Sequence, residues 1–466
     1  AFYSHVYLEA ISDEDYQHAQ TVYKTFNCKD FGDYHWIYLK ADVLLLADIF
    51  ENFRKLSLEH YRLDPANYLT AASLAWDAMM LKTGIDLELI QDAEILTMIE
   101  QSKRGGLTFV GSKRYAKANN KRMWENYDKT KESTYISYVD ANNLYGFAMV
   151  QPLPYKNLKF ETVENDCKPT SVSSGPEERC PATLRSSCPE TFRTSSEERR
   201  AATLRTVSLE TILNTADDAE TGYFCEVDLE FPPPELHEKL KHFPPCPESV
   251  IPKEEWFSDY QREVMEITNS KPTSEKLTPH LMKHENYVLH YRNLKFVHGL
   301  GIQIKLKIMV SFTQSRRMAP YIEDNNKLRA KAKAEGNKFL DELFKLMNNS
   351  VIGKTMEDVR NRMDMRLTID PDNAIKWFST PQFKNANFID GLYLIQTYKT
   401  EVLYDKPVYV GCSMLDISNV RMMDFHFNTI HEHFKGNYDL LYSDTDSLVY
   451  QIKSPNFLKW MKEHEE

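Results

Sequence analysis

Residues 440–450 read LLYSDTDSLVY, two apolar runs closing on a pair of aspartates. Leu440, Leu441, Leu448 and Val449 suit a buried hairpin, and Asp444 and Asp446, two apart, point to one face of its tip. A fold that takes in this segment buries the strands and leaves two carboxylates where charge is useful. Adjacent carboxylates repel unless a cation sits between them, and hard oxygen ligands of this kind suit Mg2+. Standing alone, an Asx-rich turn accounts for the same letters.

Two further segments carry chemistry. In YVDANNLYG (138–146), Asp140 ends an apolar strand ahead of a turn and a helix start. The free amides of such a turn can cradle phosphate oxygens, and a third carboxylate would complete a two-metal site. The plainer reading is Asp140 as a helix N-cap. In KFLDELFKLMNNSVIGK (338–354), Lys338 and Lys345 are seven apart, Lys331 lies seven earlier, and Asn349 follows Lys345 by one turn. A lysine row on a rigid helix can clamp a triphosphate, although a solvated face has the same pattern. Gly336 is placed to break the helix and remove Lys331 from the row.

The rest of the chain sets the context. Residues 34–60 are expected to be a helix, with Leu39, Val43, Leu46, Ile49, Phe50 and Phe53 at helical spacing. Another helix is expected over 69–82, ending at Gly84. Asp13-Glu14-Asp15 reads as a helix start with acids near the dipole. Strands are expected at 133–140, 222–231, 287–297 and 440–450, and helix over 325–350, so the class is mixed α/β (α+β). Residues 168–210 are poor in large apolar side chains and hold a near repeat, EERCPATLR and EERRAATLR; they read as a flexible low-complexity insertion.

The net charge of −11 argues weakly against a nucleic-acid binder, but a local channel can still be basic. Residues 103–122 hold Lys103, Arg104, Lys113, Arg114, Lys117, Lys121 and Arg122 with no acid, around Gly105-Gly106. A phosphate backbone passing close by suits such a stretch, and so does a solvated loop. The seven cysteines show no C-x-x-C spacing, so neither a zinc site nor a redox pair is indicated, and an intracellular, reducing compartment fits. No apolar run approaches the ~20 residues of a membrane span.

In this order the three segments resemble the polymerase motifs of family B DNA polymerases. D-x-x-S-L-Y-P is matched by Asp140, Leu144 and Tyr145, with Asn143 and Gly146 at the varied positions. K-x-x-x-N-S-x-Y-G is matched by Lys345, Asn349, Ser350 and Gly353, with Ile352 in place of the usual aromatic residue. Y-x-D-T-D-S is matched in full by Tyr442, Asp444, Thr445, Asp446 and Ser447. Tyr38 and Asp42 have the Y-x-x-x-D spacing of the third exonuclease motif, and Arg104-Gly105-Gly106 sits where the family has its Y-x-G-G link. The form of the motifs is most similar to the protein-primed branch, as in Maverick or Polinton transposons, related viruses and linear plasmids.

The resemblance implies a right-hand palm and fingers, a remnant of an RNase H-like exonuclease domain, and a missing thumb, in a chain that is a fragment. The expected divisions are 1–100 exonuclease remnant, 101–167 link and first palm, 168–210 insertion, 211–320 palm and family insertions, 321–356 fingers, and 357–466 palm with the hairpin. It implies two Mg2+ ions (or Mn2+) held by Asp140, Asp444, Asp446 and the Ala141 carbonyl. Asn143, Leu144, Tyr145, Lys338, Lys345, Asn349 and Gly353 would face the nucleotide, and Arg104, Gly105 and Gly106 the DNA. Template-primer DNA, dNTPs and a terminal priming protein are the implied partners, with no membrane. Two other readings stay open: a Mg2+-dependent nuclease, which Tyr38 and Asp42 suggest, and a decayed relic that at most binds DNA, which the insertion and Ile352 suggest.

Overall fold

The computed structural model describes residues 3–4, 9–113, 115–163 and 206–464. The chain divides into two compact units, Ala1–Leu81 and Lys82–Glu466. In the first, α1 (Asp13–Thr25) starts at Ser12, whose side chain accepts the Asp15 amide, and Asp13, Glu14 and Asp15 fill the first turn. Helix α2 (Phe31–Tyr61) is capped by Asp30 and ends where Arg62 turns left-handed at φ +60°. Arg54 clasps Asp64 with bonds of 3.0 and 2.6 Å just beyond. The apolar stripe expected on α2 is present, but Leu39, Val43, Leu46 and Ile49 are exposed. The boundary between the units falls within α3 (Ala71–Thr83), after which Gly84 takes φ +58° as a left-handed stop.

The second unit is mixed helix and sheet. Its first part holds α4 (Ala93–Gln101), β1 (Thr108–Val110), β2 (Thr134–Asp140), α5 (Leu144–Met149) and β3 (Leu153–Val163). After residues outside the described set come β4 (Thr206–Val207), α6 (Leu209–Asn214), β5 (Thr221–Glu230), β6 (Glu248–Val250), α7 (Asp259–Thr268) and β7 (Lys276–Thr278). Then follow β8 (His284–His290), α8 (Tyr291–Gly299), β9 (Gln303–Ser315), α9 (Ala319–Ala334) and α10 (Lys338–Thr355). Strands β10 (Met363–Thr368), β11 (Phe383–Ile389) and β12 (Leu392–Tyr398) precede α11 (Val408–Asp424) and the hairpin β13 (Tyr438–Asp444) and β14 (Ser447–Lys453).

A five-stranded sheet runs β8-β5-β9-β3-β4, antiparallel except for the β3–β4 pair. A four-stranded antiparallel sheet runs β1-β13-β14-β2, a three-stranded one β10-β12-β11, and β6 pairs with β7. Helix α11 is the core: every residue from Val408 to Ser418 is buried. A helix apolar all round must be covered on all sides, and α4, α5, α8, α10, β3 and β8 pack on it. A side chain at Gly411 would collide with Thr355 and Met356, so this glycine lets α11 approach the end of α10. The helix runs on through a π-helical turn, Phe425–His431, that carries His426 under the hairpin. There His426 Nδ1 shares a hydrogen bond with the Tyr450 hydroxyl at 2.9 Å.

Several expected elements change. The strand anticipated over 287–297 stops at His290, and residues from Tyr291 on are helical. Tyr291, Leu294 and Val297 are buried at a spacing of three, the period of a helix face, which the β-rich letters before them obscured. The helix over 325–350 is two helices, because Gly336 takes φ +69° between α9 and α10. The segment 440–450 forms the expected hairpin, turning at Thr445. Of the expected insertion, 168–205 lies outside the described residues, while 206–210 already belong to β4 and α6, with Val207 buried beside β3. Among the described residues no helix is long and apolar enough to cross a membrane.

Burial drives the His426 pKa down to about 3. The unfolded chain takes up this proton near the ordinary value, so the group's contribution is present above about pH 6.5 and is lost as pH falls toward the folded value. At pH 5 the loss is about 2 kcal/mol from this residue. Asp416, pushed up to about 6 by burial, works the other way as pH falls. The expected outcome is therefore differential: His426→Phe is less stable at pH 7, but its further loss between pH 7 and pH 5 is about 2 kcal/mol smaller than the parent's in urea melts. Equal pH dependence in the two proteins would contradict the assignment.

Candidate active site

The hairpin is locked on both sides. Strand β14 pairs with β2 from Lys453 opposite Thr134 to Ser447 opposite Asp140. Strand β13 pairs with β1, Asp444 opposite Thr108. Leu440, Leu448, Tyr450 and Ile452 are buried, so the strands have one place to go and the acidic tip is left at the edge. Thr445 takes φ +53° in the turn, and its amide donates to the Leu107 carbonyl at 3.0 Å. Gly106 lies against it: a Cβ there would be 2.2 Å from Thr445 Oγ1, while Gly105 faces open space.

This register brings the three expected acids together. The Ala141 amide donates to the Asp446 carbonyl at 2.8 Å, tying the turn after β2 to the hairpin tip. Asp140 Oδ2 accepts from the Tyr138 hydroxyl at 3.0 Å. Asp444 accepts from Thr108 Oγ1 at 2.8 Å and from the Tyr442 hydroxyl at 3.2 Å. The Asp446 carboxyl is held above the usual carboxylate range, first by burial and then by the charges of Asp140 and Asp444, with Lys345 opposing. Three acids and Lys345 thus share one field. The three carboxylates are not drawn within 4.8 Å of one another.

The turn after Asp140 is built differently from an N-cap. Asn143 takes φ +59°, and its side chain caps nothing. Instead its Nδ2 donates to Asn326 Oδ1 at 3.3 Å, which also receives Asn348 Nδ2 at 3.1 Å. Asn325 Nδ2 donates to Asn348 Oδ1 at 2.8 Å. This amide chain joins the turn to α9 and α10, and the motif reading missed it: it singled out exposed Asn349, whereas its neighbour Asn348 is the buried one. The Asn325-Asn326 and Asn348-Asn349 doublets were the available signal. Leu144 is buried, and Gly146 leaves room for the Asn143 amide. Tyr145 is half-buried, its hydroxyl pKa raised by burial and then by Asp446; it lines a cavity with Gly106, Asp416, Ser418 and Thr445.

On α10, Lys338, Lys345, Asn349 and Gly353 are exposed and Ile352 is buried; Lys331 is on α9, outside the row. Arg104 is not presented outward. Its guanidinium stacks 3.6 Å over Tyr287 and donates to the Val288 carbonyl at 2.7 Å, next to buried Asp416. Asp416 in turn accepts the His290 amide at 2.6 Å and Asn293 Nδ2 at 3.1 Å. Lys113 likewise pairs with Asp439. Tyr38 and Asp42 belong to the first unit, one turn apart and exposed on α2.

No protein-family model matches the chain, and no curated protein does. Among solved structures, it is similar to phi29 DNA polymerase in an orthorhombic crystal form, at 13% identity over 94% of this chain and 59% of that one, TM-score 0.47. It is also similar to phi29 DNA polymerase complexed with primer-template DNA and incoming nucleotide substrates, at 12% identity over 83% and 49%, TM-score 0.43. The chain spans about half the length of the second and 59% of the first.

The Gly106 contact sets a sharp expectation. Gly106→Ala should cost about 1–3 kcal/mol by overpacking Thr445, whereas Gly105→Ala should stay within about 0.5 kcal/mol of the parent. Thr445→Gly in the Gly106→Ala background should recover most of the loss, because it removes the colliding atoms and suits the positive φ. Urea melts of the four proteins decide it; equal effects at the two glycines would contradict the geometry.

Proposed function

We propose that the chain carries the catalytic part of a DNA-directed DNA polymerase of family B, protein-primed branch, which adds dNTPs to a primer 3′-hydroxyl by two-metal phosphoryl transfer. The observation that carries this reading is the convergence of Asp140, Asp444, Asp446 and Lys345 from three separate segments, in the order of the family's motifs. The donor set fits Mg2+: the oxygens are hard, and the Asp446 carboxyl, held up by burial first and then by the charges of Asp140 and Asp444, would gain from a cation beside it. Asp140, Asp444, Asp446 and the Ala141 carbonyl would hold the ions. When bound, they supply a lowered pKa for the 3′-hydroxyl and neutralise charge on the leaving pyrophosphate.

The chain's own groups would do the rest by alignment and charge. Lys338 and Lys345, exposed on α10, would grip the triphosphate. Tyr145, beside Asp446, would close off space at the sugar 2′ position and exclude ribonucleotides. Asn349 and Gly353 would lie against the incoming nucleotide and the templating base. In this reading α9 and α10 are the fingers, the four-stranded sheet belongs to the palm, and the amide chain from Asn143 to Asn348 holds the two together. Ile352, standing where the family has a ring beneath the base pair, is buried, so fidelity or activity is what this departure would alter. Template-primer DNA, dNTPs and a terminal priming protein are the partners, in the intracellular replication of a mobile or viral element.

Primer extension with Mg2+, a template-primer and dNTPs is the test. Asp140→Ala or Asp446→Ala should lower incorporation by roughly 10³-fold or more, with circular dichroism unchanged. Incorporation by either variant within tenfold of the parent, measured in a form that also carries a thumb, would sink the assignment. A second outcome bears on the nuclease reading. A two-metal exonuclease needs several converging carboxylates, and Asp42 alone does not supply them. A 3′-mismatched labelled primer with Mg2+ and no dNTP should remain intact; degradation abolished by Asp42→Ala would refute this.

A further inference from the structure

Between β6 and β8 the chain makes an excursion that has no core of its own. No residue from 251 to 283 is buried, and α7, the one α-helix in it, buries nothing. Short segments without a core usually need a covalent or metal staple to hold one conformation. The excursion is closed by the β6–β7 pairing, Glu248 opposite Thr278 and Val250 opposite Lys276. That register brings His280, two residues past Thr278, back to Glu248, and His284 follows one H-x-x-x-H step later at the start of β8.

The three side chains meet at the foot of the excursion. His280 Nε2 is 3.0 Å from Glu248 Oε2, and His284 Nε2 is 3.8 Å from the same oxygen. The two imidazoles stack with centroids 4.5 Å apart and planes 24° apart. One ligand atom from each residue lies within 4.8 Å of the others. Around a tetrahedral Zn2+ with bonds of about 2.1 Å, ligand atoms lie about 3.4 Å apart, between the two observed separations. The His284 side chain is fully buried, and no well-formed hydrogen bond holds either of its ring nitrogens or His280 Nδ1, although the Cys246 and Met282 backbones interact with the His284 ring. A neutral imidazole has an N–H to donate and a lone pair to offer; a backbone carbonyl can take the N–H but cannot fill the lone pair, so the buried ring keeps an acceptor nitrogen for a ligand. An ordinary His280–Glu248 bond with a stacked neighbour leaves the acceptor nitrogen of buried His284 without a donor.

We propose that Glu248, His280 and His284 bind one Zn2+ ion that staples the 251–283 excursion to β8. The donor set is two imidazole nitrogens and one carboxylate oxygen, which suits Zn2+ and not the all-oxygen shell of Mg2+ or Ca2+. Water takes the fourth position, on the side where Glu248 is partly exposed. The site is separate from the Asp140–Asp444–Asp446 acids and shares no residue with them. Its cysteine-free donor set is why spacing rules built on C-x-x-C pass over it.

The test uses the untagged full chain in excess Mg2+. Elemental analysis after gel filtration should find one Zn2+ per chain. Replacement by Co2+ should give the intense visible bands of a four-coordinate ion, distinct from the weak bands of six-coordinate Co2+ on carboxylates. Both signals should be lost in His280→Gln and in Glu248→Gln, which keep polar side chains at partly exposed positions and leave circular dichroism unchanged. Removing Zn2+ with a zinc-selective chelator should speed proteolysis within 251–283 on the order of tenfold. A folded parent chain that takes up no stoichiometric Zn2+ would overturn the proposal. So would Zn2+ retained equally by both variants, or proteolysis indifferent to the chelator.

Discussion

The site depends on one strand register. Strand β14 lies between β13 and β2, and its pairing sets Ser447 opposite Asp140. Side chains alternate faces along a strand, so a slip by one residue would turn Asp140 away and expose Leu448 and Tyr450. Those buried side chains hold the register, and the Ala141–Asp446 backbone bond closes it at the tip. Placement of the acids is thus a by-product of packing apolar residues several positions away.

Two aspartates in this unit show how surroundings decide what a carboxylate can do. Asp416 is buried on α11 and its oxygens are taken by the His290 amide and the Asn293 side chain, with Arg104 nearby. Its hydrogen-bonding capacity is spent inside the fold, and it links α11 to β8 and α8. Asp446 is half-buried beside two like charges, with a backbone hydrogen bond and Lys345 opposing. It remains available to a cation. Arg104 makes the same point for basic residues: stacked on Tyr287, it is part of the support behind the Thr445 turn.

The support is a chain of contacts with little slack. Gly411 lets α11 meet the end of α10, Gly106 lets the link meet Thr445, and Gly146 accommodates the Asn143 amide. Each glycine serves a close approach, and each approach touches an element that carries a site residue. From Asn143 the amides of Asn326, Asn348 and Asn325 run on to α9 and α10. A partly buried amide network of this kind resists distortion because each lost bond leaves another polar group unpaired. It gives the turn after Asp140 and the lysine-bearing helix a common frame.

Local sequence determined what local physics governs. The hairpin tip, the strand ending at Asp140, the helix start at Asp13, the stop at Gly84 and the break at Gly336 were all legible, because periodicity and positive-φ glycine act within a few residues. The switch from strand to helix at Tyr291 was not, since its helical period emerges only once Tyr291, Leu294 and Val297 have something to pack against. Nor was the inward turn of Arg104, which needs Tyr287 and Val288 from far along the chain. Which asparagine of 348 and 349 is buried depended on where α9 lies, and the Glu248–His280–His284 group depended on the β6–β7 pairing. Residue types and short spacings are properties of the sequence. Which of them meet is decided by long-range strand pairing and helix packing, where burial selects one register among many.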